Sequence, residues 1–247
     1  MRVIGKISLI FLLGSATTFA ALAQTKDSYD YNSEFIWGIN KNSSGGLIGG
    51  FNFKKARKKS ETVLQTYGVE IVNVKHPQEV KRNADATGNP FIFGKSNYLY
   101  ALRLQYGRDI ILFKKAPQQG VEIKLVTAIG PSIGIVAPYY IERKVDDNNL
   151  YITVKEQYDP KNLRHTFNNI LGAGNLFQGI AESKIQMGAN AKVGFNFELG
   201  SSKRQVSGFE VGFLVDAYIK KVILMPTTYN KSVFPTFYFT LFYGARK

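Results

Sequence analysis

The chain contains no cysteine. A disulfide framework and a thiolate metal site are therefore excluded, as is the lipid-bearing cysteine of a lipoprotein. Only two histidines are present, His76 in VKHPQE and His165 in NLRHTFNN. They lie in different segments, so no metal site and no cofactor is expected. Beyond the N-terminus, no stretch approaches the ~20 apolar residues that a membrane-spanning helix needs. Acidic residues are scarce relative to basic ones: 18 Asp and Glu against 32 Lys and Arg, a formal net charge of +14. Basic charge with abundant aromatics (18 Phe, 14 Tyr) can mark nucleic-acid binding, but the export signal and strand pattern below argue against nucleic acid as a partner.

The chain opens MRVIGKISLIFLLGSATTFAALAQ. Arg2 and Lys6 make a basic n-region, Ile7 to Leu13 an apolar h-region too short to span a bilayer, and Ala21-Leu22-Ala23 an A-x-A cleavage site. The expected division is a signal peptide over 1–23 and one exported domain over 24–247, starting at Gln24.

The rest of the chain alternates. From Ile185 to Leu199 the odd positions are all apolar, and the even ones are Gln186, Gly188, Asn190, Lys192, Gly194, Asn196 and Glu198. The alternation resumes with Phe209, Val211, Phe213, Val215, Ala217 and Ile219 on one face. Period two over such lengths predicts two long antiparallel strands. Six more candidates lie near 33–41, 46–54, 62–74, 96–107 and 121–135 and in the final SVFPTFYFTLFYGARK. In the 62–74 strand Gln65 interrupts an otherwise apolar face.

A soluble barrel and a membrane barrel share this pattern with the faces exchanged. Several runs exceed ten residues, whereas soluble strands average about five or six and tilted membrane strands need ~9–11. Glycines crowd the polar face, as a narrow interior requires, and aromatics gather toward strand ends. The pattern therefore predicts lipid on the apolar face and a polar lumen. Connections after the first, third, fifth and seventh strands run to about 4, 21, 48 and 12 residues, and the others to about 7, 13 and 5. The long ones fall at one end, which is expected outside the cell, with both termini in the periplasm. Within the longest segment, 136–183, a short hairpin is expected about Asp146–Asn149. A helix is expected from Asp159, with Pro160 at its first position and Gly172 past its end. Leu163, Phe167, Ile170 and Leu171 would form its apolar face, which would cover the barrel mouth or pack on the hairpin.

Two groups of residues are candidates for function. The lumen should hold Arg103, Glu122, Lys124, Lys192, Glu198, Glu210, Asp216 and Lys220, where opposite charges on neighbouring strands can pair. Eight strands leave an interior that side chains fill, so this network reads as a plug rather than a pathway. The second group is the set of short turns: Lys54, Lys55, Arg57, Lys58 and Lys59 in KKARKK, then Arg108, Lys114 and Lys115, then Lys203 and Arg204. Together with Arg246-Lys247 they carry nearly the whole positive excess, a candidate periplasmic docking face. Neither histidine has a serine beside it in sequence, so no catalytic residue is assigned.

The strand pattern, the loop parity and the aromatic final strand FYFTLFYGARK resemble the small, eight-stranded outer-membrane β-barrels of Gram-negative bacteria. That family's last strand usually ends on an aromatic, whereas Gly244-Ala245-Arg246-Lys247 follow Tyr243 here. VNVKHPQEV and GPSIGIVAPYYIE look similar to barrels of Bacteroidota to which no activity is assigned. The resemblance implies an all-β, eight-stranded antiparallel transmembrane barrel in contact with outer-membrane lipid. The functional expectation is a non-enzymatic structural or accessory subunit of an envelope complex, for secretion or outer-membrane protein assembly. Its partners would be other envelope proteins, met through the basic turns and through the 136–183 loop. A narrow porin-like channel and a lipid-modifying enzyme stand as alternatives.

Overall fold

The structure is a computed structural model that describes residues 31–115, 120–147, 150–175, 178–199 and 204–247. The expected signal peptide lies outside the described residues. Among the described residues thirteen strands follow in order: β1 (Ser33–Asn42), β2 (Gly46–Lys58), β3 (Val63–Val74), β4 (Lys81–Asn83), β5 (Pro90–Ile92), β6 (Asn97–Phe113), β7 (Glu122–Pro138), β8 (Tyr140–Asp147), β9 (Leu150–Gln157), β10 (Ile170–Ala173), β11 (Lys184–Glu198), β12 (Gln205–Tyr218) and β13 (Val233–Arg246). Eight of them close into a barrel in the order β1-β13-β12-β11-β7-β6-β3-β2, with β2 returning to β1. Every barrel pair is antiparallel. The eight long strands are those that the alternation predicts.

Register fixes the barrel's shape. Directly paired residues lead from Glu34 through Ala56, Thr66, Gly107, Ala128, Lys192 and Leu214 to Thr236. The circuit ends opposite Ser44, whose hydroxyl lies 3.2 Å from that of Thr236. One turn thus climbs about ten residues for eight strands, a tilt of about 40° at ~3.3 Å rise and ~4.8 Å strand spacing. Glycines let the interior close up. Gly194 and Gly212 are paired directly, and a Cβ on Gly212 would meet the Val193 carbonyl oxygen at 2.2 Å and the Tyr238 hydroxyl at 2.9 Å.

The faces are those of a membrane barrel. Outward positions are large, apolar and exposed: Phe35, Trp37 and Ile39 on β1, Phe51 and Phe53 on β2, Ile185, Met187, Val193 and Phe195 on β11, Phe237, Leu241 and Tyr243 on β13. Inward positions carry the buried polar and charged groups. On β13 the outward row from Val233 to Tyr243 covers about 25 Å along the barrel axis at this tilt, the height of a lipid-facing band. Odd positions of 185–199 thus face out, and even positions face the lumen.

The long connections, 75–96, 139–183 and 219–232, share one end. There β8 pairs with β9 in the expected hairpin, and β10 pairs with β8. A smaller hairpin joins β4 to β5. Ala84, Phe91, Tyr139, Ile141, Tyr158 and Ile170 form a core with Tyr98 and Ala137 of the barrel rim, so this cap has its own apolar centre. The Tyr139 and Tyr158 hydroxyls accept the backbone N–H groups of Ile92 and Gly94 (3.0 and 3.2 Å). Burial pushes the Tyr139 hydroxyl up to about 12.

The helix expected from Asp159 does not form. Asp159 does accept a hydrogen bond from a following N–H, that of Lys161, but in a tight turn. His165 then folds back: its Nδ1 lies 2.9 Å from the Asp159 N–H and 3.0 Å from its carbonyl, and its ring stacks on Tyr158. A helix would carry His165 away from those partners. Only a single 3-10 turn, Phe167–Asn169, follows before β10. Leu163, assigned to the helix's apolar face, is 92% exposed.

Candidate functional site

The lumen is stratified. Nearest the short turns, Arg246 of β13 engages both oxygens of Glu198, with Nη1 at 2.8 Å from Oε1. It also reaches Glu122 (3.3 Å) and Glu34 (3.2 Å). Lys124 completes this layer with Glu34 at 3.0 Å and Glu122 at 3.2 Å. Tyr31 donates to Glu122 at 3.2 Å, and the Arg246 guanidinium lies 3.9 Å over its ring.

A second layer crosses the middle of the barrel. Lys54 bridges Asp109 (2.8 Å) and Glu210 (3.1 Å), and Lys192 bridges Glu70 (2.6 Å) and Glu210 (2.9 Å). Arg103 joins Glu70 (3.1 Å) to Asp216 (2.6 Å), and Ser132 donates to Asp216 at 2.9 Å. Tyr238 donates to Glu210 at 3.1 Å and puts its ring beneath Lys192. Across both layers six cations (Lys54, Arg103, Lys115, Lys124, Lys192, Arg246) meet seven carboxylates (Glu34, Glu70, Asp109, Glu122, Glu198, Glu210, Asp216), so the lumen is close to neutral. Such pairing is what makes so many buried charges tolerable.

Above the charged layers the lumen turns apolar. Val72, Val74, Leu99, Ala101, Val136, Tyr218 and Phe234 converge there, and Val222 and Leu224 of the 219–232 connection complete the cluster. The connection is clamped in place: the Leu224 carbonyl accepts the Ser96 and Asn97 N–H groups, and the Asn230 side chain bonds the backbone of Leu224 and Met225. An apolar lid thus lies over a salt-bridged plug.

Of the residues assigned to the lumen, Arg103, Glu122, Lys124, Lys192, Glu198, Glu210 and Asp216 are brought together there. Lys220 is not: β12 ends at Tyr218, and Lys220 stands exposed beyond it. The basic-turn assignment needs more correction, because β2 and β6 run further than their apolar pattern. Lys54 is no turn residue but lies in β2 with its side chain in the lumen. Lys55 and Arg57 share that strand and point outward, as does Arg108 on β6. Lys59 is exposed in the turn, with Lys58 at the end of β2 and Arg204 just before β12. Lys114 lies 4.0 Å from Glu61, and Lys115 is buried 3.9 Å from Glu198. Lys203 falls outside the described residues. Among the described residues these side chains divide between the lumen, the outer wall and the turns.

Sequence reasoning missed Glu34, Lys54, Glu70, Asp109, Lys115 and Arg246 as lumen residues. Lys54, last residue of the expected 46–54 strand, follows Asn52 at the spacing of two that marks an inward position, yet KKARKK also reads as a turn.

Both histidines are held within the cap. His76 Nε2 lies 3.2 Å from the Tyr229 carbonyl, and His165 Nε2 lies 3.0 Å from Glu156, which Arg143 also engages. Among the described residues no serine hydroxyl bonds either ring, and no cluster of three metal-ligating side chains occurs. Where cap meets rim, a cleft of about 270 Å³ is lined by Lys75, Lys81, Lys95, Tyr98, Phe91 and Tyr139, among others. Lys95 is already paired with Glu79 at 2.6 Å.

No family model matches the chain, and no curated protein matches its sequence. Among solved structures, the attachment invasion locus protein Ail of Yersinia pestis aligns at 9% identity and a TM-score of 0.39, covering 88% of this chain and 99% of that one. Neisserial surface protein A aligns at 10% identity and a TM-score of 0.39, covering 88% and 97%. The N-terminal β-barrel domain of Pseudomonas aeruginosa OprF aligns at 8% identity and a TM-score of 0.36, covering 88% and 98%. Closure, strand number and loop asymmetry, read from the chain's own hydrogen-bond register, give it the architecture of a small eight-stranded outer-membrane-type β-barrel.

Proposed function

We propose that the protein is a non-conducting outer-membrane anchor, a structural or accessory subunit of an envelope complex that holds an ordered external cap at the cell surface. The observation that carries this reading is the filled lumen, with ion-pair layers below and an apolar lid above. A channel needs a continuous wet path, and an eight-stranded interior with these side chains has none to spare. In this reading the short-turn end, where Asn32 bonds the Lys247 carbonyl, faces the periplasm. The cap presents exposed apolar side chains, among them Val80, Phe93, Leu163 and Tyr229, outside the lipid-facing band. Such groups suit contact with another envelope protein. The exposed turn lysine Lys59 and Arg204 offer a smaller basic contact on the opposite side.

Crosslinking in native outer membranes followed by mild detergent extraction tests the subunit role. The expected result is a defined envelope partner whose yield falls when Leu163 and Val80 are replaced by Ser, or when Lys58, Lys59 and Arg204 are neutralised. Lys54 has to be spared, since its loss would disturb the lumen instead. Recovery as a free monomer from crosslinked membranes overturns the subunit role. Stable unitary conductance of the purified protein in planar bilayers overturns the sealed barrel.

A further inference from the structure

We infer that the outer wall near the short turns carries a binding site for the phosphate of an anionic phospholipid, built from Lys55, Arg57 and Arg108. The inference rests on the membrane reading above and adds a ligand to it. Lys55 and Arg57 project outward from β2, and Arg108 projects outward from β6, with β3 between them. Register places Arg57, Gln65 and Arg108 in one row and Lys55, Tyr67 and Tyr106 in the next. The two arginines stand two strands apart, about 10 Å, so their guanidinium groups can converge on one phosphate above Gln65.

The centre of the site is fixed. Gln65 Nε2 donates to the hydroxyls of Tyr67 (2.8 Å) and Tyr106 (3.1 Å), whose rings lie 5.5 Å apart. Tyrosines so held belong at the interfacial girdle of a barrel, where headgroups begin. The cations, by contrast, have no protein counter-charge among the described residues. The carboxylates on the same strands, Glu70 and Asp109, face the lumen and are paired there with Arg103, Lys192 and Lys54. Glu61, in the adjoining turn, lies by Lys114. Among the described residues no ion pair reaches Lys55, Arg57 or Arg108. Phe35 and Phe53 flank them on the lipid-facing side. Cations at the edge of hydrocarbon call for an anion from the lipid itself, each worth roughly a five-fold gain in affinity for an acidic surface. An acidic protein domain would have to displace lipid from the surrounding apolar wall to reach them.

Native mass spectrometry of the full folded chain, released from mixed phosphatidylcholine and phosphatidylglycerol micelles, tests this directly. The expected result is retained phosphatidylglycerol at least about tenfold over phosphatidylcholine. Lys55→Gln/Arg57→Gln/Arg108→Gln should bring the two lipids near parity, and Arg108→Gln alone should remove part of the preference. Lys161→Gln/Lys220→Gln/Lys231→Gln removes the same charge from exposed positions in the long connections at the opposite end and should leave the preference intact. Equal retention of the two lipids by the folded wild type overturns the site, as does an equal loss in the control variant. A wild type that fails to insert into plain phosphatidylcholine vesicles, giving no heat-modifiable folded band, refutes the membrane reading instead.

Discussion

Replacing Arg103 by Met should destabilise the barrel strongly. The arginine is 1% exposed and makes four hydrogen bonds, three to Asp216 and one to Glu70. Methionine nearly fills the space, so the cavity contribution is small. Glu70 keeps Lys192 at 2.6 Å, but Asp216 keeps only the Ser132 hydroxyl. One buried carboxylate is thus stranded, at a cost of about 3–5 kcal/mol. With a urea dependence of about 2 kcal/mol per molar, the unfolding midpoint in lipid vesicles should fall by about 1.5–2.5 M. Adding Asp216→Asn removes the stranded charge and should bring the midpoint back to within about 1 M of wild type, a non-additive result. Band shift on unboiled gels after equilibration in urea provides the assay. A drop below about 0.5 M in the single variant, or strict additivity in the double one, would mean that water rather than Arg103 neutralises Asp216. The sealed-lumen argument would then fail.

Three further outcomes are expected. Trp37 is the only tryptophan and is 47% exposed on the outer wall beside Tyr243, so its emission should be blue-shifted and quenched by bromine-labelled acyl chains; water-like emission would contradict the assignment of faces. Leu224→Ala should cost about 2–5 kcal/mol in urea unfolding through loss of lid packing, yet leave planar bilayers silent because the ion-pair layers below remain. In the cap, the Arg143 hydrogen bond holds the Glu156 carboxyl below its usual range, with His165 also in contact. A depressed carboxylate pKa contributes stability above the unfolded value and loses it as pH falls through the folded one. Limited proteolysis within 139–183 should therefore accelerate as pH drops below the ordinary glutamate range, and Glu156→Gln should flatten that dependence.

The strands were legible because a barrel wall has one lipid face and one packed face, which writes period two into the sequence over long stretches. Even the interruption at Gln65 has a physical cause, since its side chain ties two outward tyrosines together. The signal fails where both faces turn polar. In KKARKK the alternation persists, Lys54 in, Lys55 out, Ala56 in and Arg57 out, but no hydropathy contrast marks it, and the strand reads as a turn. Asp109 was hidden for the same reason at the end of β6. The cap was least legible, because its conformation is set by distant partners. The caps of a helix are all present between Asp159 and Gly172, yet the contacts of His165 with Tyr158 and Glu156 and the pairing of β10 with β8 override them. Lumen pairs were equally remote, joining residues as far apart as Glu34 and Arg246.

That last pair lies at the junction where the cylinder is sewn shut. Glu34 and Arg246 face each other directly across β1 and β13, and Arg246 also reaches Glu198 and Glu122 from the far wall. Until the final strand docks, the foot of the lumen holds three carboxylates with Lys124 and Lys115 as the cations beside them. Glu34 on the first strand thus gains a second cationic partner when the last strand docks. A slip of two residues along the closing junction would preserve the backbone ladder and the outward apolar face, but it would carry Glu34 away from the guanidinium. The hydrogen-bond ladder cannot tell those registers apart; the buried pair of Glu34 and Arg246 favours the one in which it forms.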